Sequence, residues 1–85
     1  MIIDPDTKKE IHDLVNITRE YVNAVNKGNT LSYRLEMLHE NINGLEKSIN
    51  NKYTRLGTLI RNLLDFKNYS FKQIVELLTS FNIYI

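Results

Sequence analysis

The side chains in this 85-residue sequence that could do acid–base or metal chemistry near neutral pH are two histidines and a scatter of carboxylates. His12 precedes Asp13, and His39 precedes Glu40. There is no His-x-x-x-His pair of the kind that places two imidazoles on one helical face around a metal. Both histidines are therefore read as surface residues. Glu36 and Glu40 lie one turn apart on an outer helical face, where water solvates both carboxylates. Cysteine is absent, which removes thiolate nucleophiles, thiolate metal sites and disulfides together. Three isolated glycines cannot build a phosphate-cradling loop. The expectation is a protein without catalysis, metal or cofactor.

Cations offer a different chemistry. Residues 51–85 carry five Lys/Arg (Lys52, Arg55, Arg61, Lys67 and Lys72) against Asp65 and Glu76, whereas residues 1–50 carry six against eight acids. A basic C-terminal third suits an acidic partner, and these five side chains are the candidate contacts to nucleic-acid phosphates. Such contacts alone give salt-sensitive binding with little sequence specificity.

The elements that must position these residues are helices. Thr7-x-x-Glu10 reads as a capping box, and Asp4-Pro5 offers an alternative start. Ile11, Leu14, Val15, Tyr21, Val22 and Val25, with Thr18 filling the gap, form one apolar stripe at helical spacing. Lys27-Gly28-Asn29 supplies the stop, so the first helix covers about residues 7–27. From about 30 to 67 the pattern becomes heptad. Leu31, Leu35, Leu38, Ile42, Leu45, Ile49, Lys52, Leu56, Leu59, Leu63 and Phe66 alternate by four and three without a slip. That pattern specifies a left-handed coiled-coil or bundle seam with one polar interruption, Lys52. A break at Asn50-Asn51, with Gly57 as a second weak point, is the competing expectation and would give four short helices in a monomeric bundle. The unchanged phase from Ile49 to Leu56 favours one continuous helix. A third helix over about 70–81 opens on Ser70-x-x-Gln73, with Tyr69 and Ile74 as a hydrophobic staple and Asn82 as a left-handed stop.

A continuous helix of about 36 residues is about 54 Å long, against a diameter of about 30 Å for a compact chain of this size. Helix 1 can cover only its first half. Tyr53, Ile60 and Leu64 widen the apolar face in the second half. The seam from Leu31 to Phe66 is therefore expected to self-associate, as a dimer first of all, or to hold a helix of another protein. No apolar run approaches the roughly 20 residues that span a bilayer, and the N-terminus has no secretory pattern, so a cytoplasmic location without membrane insertion is expected.

The segments Leu59–Leu64, Tyr69–Leu78 and Phe81–Ile85 resemble the opening of helix-turn-helix units in small DNA-binding accessory proteins of plasmids and other mobile elements. Asn82 stands where those units usually carry glycine, and the sequence ends where their recognition helix would begin, so no base-reading residue carries over. A single alanine, at Ala24, among many asparagines and isoleucines implies an AT-rich coding sequence, such as that of a low-GC bacterium, its phages and plasmids, or an AT-rich virus. The fold expected is all-α: a helical hairpin with a long heptad-patterned second helix and a short C-terminal helix, assembled as an oligomeric coiled-coil-like bundle. The function expected is an oligomerisation or interaction module that assists a nucleic-acid-handling complex of a bacterial mobile element or phage. The alternative is a helical adaptor, chaperone or inhibitor that captures a partner protein's helix without nucleic acid.

Overall fold

The computed structural model describes residues 2–28, 32–64, 70–80 and 82–84, and these form four helices and no strand. Helix α1 spans Pro5–Asn26, α2 Ser32–Lys52, α3 Leu56–Leu63 and α4 Phe71–Ser80. The first start signal is Asp4-Pro5. The Asp4 carboxylate accepts from the Thr7 amide at 3.0 Å and the Thr7 hydroxyl at 2.7 Å, so Thr7 is consumed inside the first turn and does not cap the helix. At the other end Gly28 takes φ +67°, which ends the helix and turns the chain. Helix α2 runs back antiparallel to α1. Lys52 approaches Asp4 and Glu10 at one end of the pair, and Arg34 pairs with Glu20 toward the other.

The long continuous helix is not formed, and the break does not fall at Asn50-Asn51. Helix α2 passes through both asparagines to Lys52, and the chain then reverses within Tyr53–Arg55, where Arg55 adopts φ 68°, ψ 1°. Helix α3 lies back along α2. A left-handed residue costs about 1–2 kcal/mol. Reversal buries Leu56, Ile60 and Leu64 at 5%, 2% and 1% exposure, each contributing about 1.5–3 kcal/mol. Burial outweighs the strained residue, and the chain folds back. The molecule measures 39 × 25 × 17 Å, too short for the expected 54 Å helix.

Gly57 permits the reversal. A Cβ there would lie 2.5 Å from the Glu46 carbonyl oxygen, so α3 can approach the α2 backbone only without a side chain at this position. The core joins Ile11, Leu14 and Val15 of α1, Ile42 and Ile49 of α2, Leu56 and Ile60 of α3, and Ile74 and Leu78 of α4. Asn82 takes φ 62°. The amides of Asn82 and Ile83 donate back to Thr79 O and Leu78 O, and Ile83 is buried while Tyr84 is exposed. The expected staple residue Tyr69 lies outside the described residues. No described helix is long and apolar enough to cross a membrane.

Candidate functional site

The ten residues of the expected seam do not form one exposed face. Leu38, Ile42, Ile49 and Leu56 are buried within the chain, while Leu35, Leu45 and Leu63 are half-buried. Leu59 stands out at 46% exposure, and Leu31 and Phe66 lie outside the described residues. The reversal explains the change. The inward positions of α3 and its C-cap are Leu56, Ile60 and Leu64, spaced by four, so the heptad position of Leu59 points away from the core. The chain covers most of its own seam, and the need for a partner argued from helix length no longer holds.

The five candidate phosphate contacts are also separated. Lys52 Nζ lies 3.8 Å from both Asp4 Oδ2 and Glu10 Oε1. Arg61 Nη1 donates to Glu46 Oε2 at 2.8 Å and to Asn43 Oδ1 at 2.7 Å, and so ties α3 to α2. Arg55 is exposed in the turn and Lys72 is exposed on α4, while Lys67 lies outside the described residues. Two of the five are therefore spent on internal ion pairs, and no basic cluster results among the described ones.

Two polar joints hold the reversal. In one, Asn50 Oδ1 accepts from the amides of Gly57 (2.7 Å) and Thr58 (3.3 Å), which α3 cannot satisfy internally because they lie in its first turn. Asn50 Nδ2 donates to the Thr58 hydroxyl, which donates in turn to Glu46 Oε1. In the other, the Tyr53 hydroxyl donates to Asp4 Oδ1 at 2.8 Å and accepts from the Asp4 amide at 3.1 Å. The Thr7 hydroxyl, then the Tyr53 hydroxyl and the Thr7 amide, with Lys52 nearby, hold the Asp4 carboxyl well below the ordinary carboxylate range.

The histidines sit on helix surfaces, His12 Nδ1 2.9 Å from Asn16 Nδ2 and His39 Nδ1 3.3 Å from Asn43 Nδ2. Glu36 and His39 stand three residues apart on α2, a spacing that can hold a metal on one helical face. No third ligand joins them, and no group of three or more such ligands converges among the described residues.

A feature absent from the sequence expectations lies on the outer side of the α1–α2 pair. Asp13 and Ile17 of α1 with Glu40, Asn41, Gly44 and Leu45 of α2 line a shallow depression. A second, lined by Glu20, Tyr33, Arg34, Met37, Leu38 and Asn41, meets it at Asn41. The two share Asn41 and follow α2 from Tyr33 to Leu45, about 18 Å at the helical rise, with the Glu20–Arg34 ion pair at the far end of this α1–α2 groove. Tyr33 and Met37, one turn apart, are 72% and 47% exposed. Gly44 is in the middle of α2, and a methyl group built on it would meet nothing within 4 Å among the described residues. Glycine inside a helix costs about 0.5–1 kcal/mol relative to alanine. Nothing among the described residues requires glycine here, in contrast to Gly57. The sequence signal for the groove was this mid-helix glycine.

No protein-family model, curated protein or solved structure matches the chain.

Proposed function

We propose that the chain is a non-catalytic binding module that docks a helix of a partner protein in the α1–α2 groove. The observation that carries this reading is Gly44. It lowers the helix propensity of α2, leaves open space above the backbone, and lies beside the apolar side chains of Ile17 and Leu45. A glycine in such a position lets a second backbone approach closely. The groove's length accommodates about three turns of helix. Ile17, Leu45, Met37 and Tyr33 offer apolar contact, and Asp13 and Glu40 line the groove with negative charge. The partner helix is therefore amphipathic, with apolar residues at i, i+3/i+4 and i+7 and Lys or Arg beside them.

Panning a library of displayed helical peptides against the immobilised chain tests this. The expected winners carry that apolar spacing with flanking Lys or Arg, and lose binding to Gly44→Trp, whose bulk fills the groove. Winners that bind Gly44→Trp equally well place the site elsewhere.

Support for nucleic-acid binding is narrower: Arg55 and Lys72 are exposed and make no ion pair among the described residues. On that second reading duplex DNA is retained at low salt and released steeply as salt rises. Equal retention by an Arg55→Ala, Lys72→Ala double variant would remove its support.

A further inference from the structure

The reversal runs through Tyr53, Thr54 and Arg55. None is glycine or proline, and the helical hydrogen bonds stop only briefly. The Tyr53 amide still donates to Ile49 O at 2.9 Å, and the Leu59 amide already donates to Arg55 O at 2.9 Å. Arg55 carries φ 68°, ψ 1°, in the left-handed region that an arginine enters only under constraint. Its side chain makes no capping hydrogen bond to α3. Rotating Arg55 to right-handed values lets α2 run on into α3. The apolar phase permits this, because Ile49 and Leu56 are one heptad apart and Leu63 follows at the next. One sequence thus accommodates both a reversed and a straight arrangement of the same two helices.

A straight helix from Ser32 to Leu63 has about 32 residues and a length of about 48 Å, and it strips Leu56, Ile60 and Leu64 from the α2 face they cover. The surface left bare on α2 is complementary to one occupant in particular, the α3 of another molecule. We propose that Tyr53–Arg55 is a swap hinge: straightened, it passes α3 and the following α4 to a second copy of this chain and receives that copy's own in return. The interior contacts re-form between chains, including Gly57 against Glu46 and Arg61 with Glu46. The left-handed Arg55 is relieved in both copies. Short hinges under strain favour exchange of this kind, and its twofold symmetry closes the assembly at a dimer.

Opposite substitutions at Arg55, read by analytical ultracentrifugation across a concentration series, test the hinge. Arg55→Gly accepts the left-handed conformation freely and should lower the dimer association constant at least tenfold. Arg55→Val, β-branched and ill-suited to positive φ, should raise it at least tenfold over the 10.0 kDa monomer. The chain has no cysteine, so the paired variant Glu46→Cys, Thr58→Cys reports the connectivity of the dimer. Oxidised dimer migrating as a covalent dimer without reductant supports the swap. Dimer that falls to monomer on such a gel has its disulfides within chains, and that overturns the swap in favour of side-by-side association. Wild type and Arg55→Gly with equal association constants, or both monomeric at millimolar concentration, also overturn it. That comparison decides the matter even where circular dichroism shows Arg55→Val to be unfolded.

Discussion

The side-chain oxygen of Asn50 accepts a hydrogen bond from the Gly57 amide at 2.7 Å, so a residue near the end of one helix caps the beginning of the next. The pair lies seven residues apart, the separation at which a straight heptad helix would put both on one stripe without contact. Their contact defines the reversal. Asn50→Ala removes the cap and should cost about 1–2 kcal/mol. In a domain of this size each kcal/mol lowers Tm by about 4–8 °C. Gly57→Ala gives a sign test. A methyl group 2.5 Å from Glu46 O should destabilise the fold by about 1–3 kcal/mol, whereas in a continuous exposed helix the same change stabilises by about 1 kcal/mol. Thermal denaturation of Gly57→Ala reads the sign directly.

Helices α1 and α4 were legible mainly through their apolar stripes, although α1 starts at Asp4-Pro5 and not at the Thr7 capping box, and Val25 of the expected stripe is 47% exposed. Leu14, Val15, Thr18 and Val22 face inward at helical spacing, and Asn82 ends the last helix in the left-handed conformation. The reversal was hidden for a physical reason. Heptad phase from Ile49 to Leu56 is the same whether the chain runs straight or turns back through three residues, and the turn's strained position is held by Arg55, not by a glycine or proline. The discriminating signal was local. Leu56, Ile60 and Leu64, spaced by four, compete with Leu56, Leu59 and Leu63 for the inward face, and the first set wins. Of the residues flagged in the sequence as weak points, Asn50, Asn51 and Gly57, the first and last mark the joint, but as its fasteners and not as the break. The groove was less legible still, because it depends on how α1 and α2 sit together and leaves only Gly44 as its trace in the sequence.

The Thr18 hydroxyl is buried and has no hydrogen-bond partner among the described residues. A buried unsatisfied polar group costs about 1–3 kcal/mol, and valine matches threonine in shape and in helix propensity. Thr18→Val should therefore raise stability by about 1 kcal/mol, measured by urea denaturation with an unchanged m-value. A loss of stability would mean that the hydroxyl has a partner in solution.

Acid should weaken the joint between α1 and the end of α2. The Asp4 carboxyl is depressed by hydrogen bonds from Thr7 and Tyr53, so its folded value lies below its unfolded one. Its contribution is then fully present above the ordinary carboxylate range and is lost as pH falls through that range toward the folded value. Between about pH 5 and pH 2 the wild type should lose Tm more steeply than Asp4→Asn, which keeps a capping side chain without a titrating group. Tyr53→Phe should show an intermediate slope. Parallel curves for wild type and Asp4→Asn would contradict this role for Asp4.

The groove is tested most directly by titrating the isotope-labelled chain with a synthetic amphipathic helix bearing apolar residues at i, i+3/i+4 and i+7 with flanking lysines, and following backbone amide shifts by NMR. The predicted result is saturable shifts confined to the α1–α2 groove, at Ile17, Asn41, Gly44 and Leu45, abolished in Gly44→Trp. Saturable shifts centred instead on Arg55, Leu59 or Lys72, or no shifts at millimolar peptide, would contradict the groove as the binding surface.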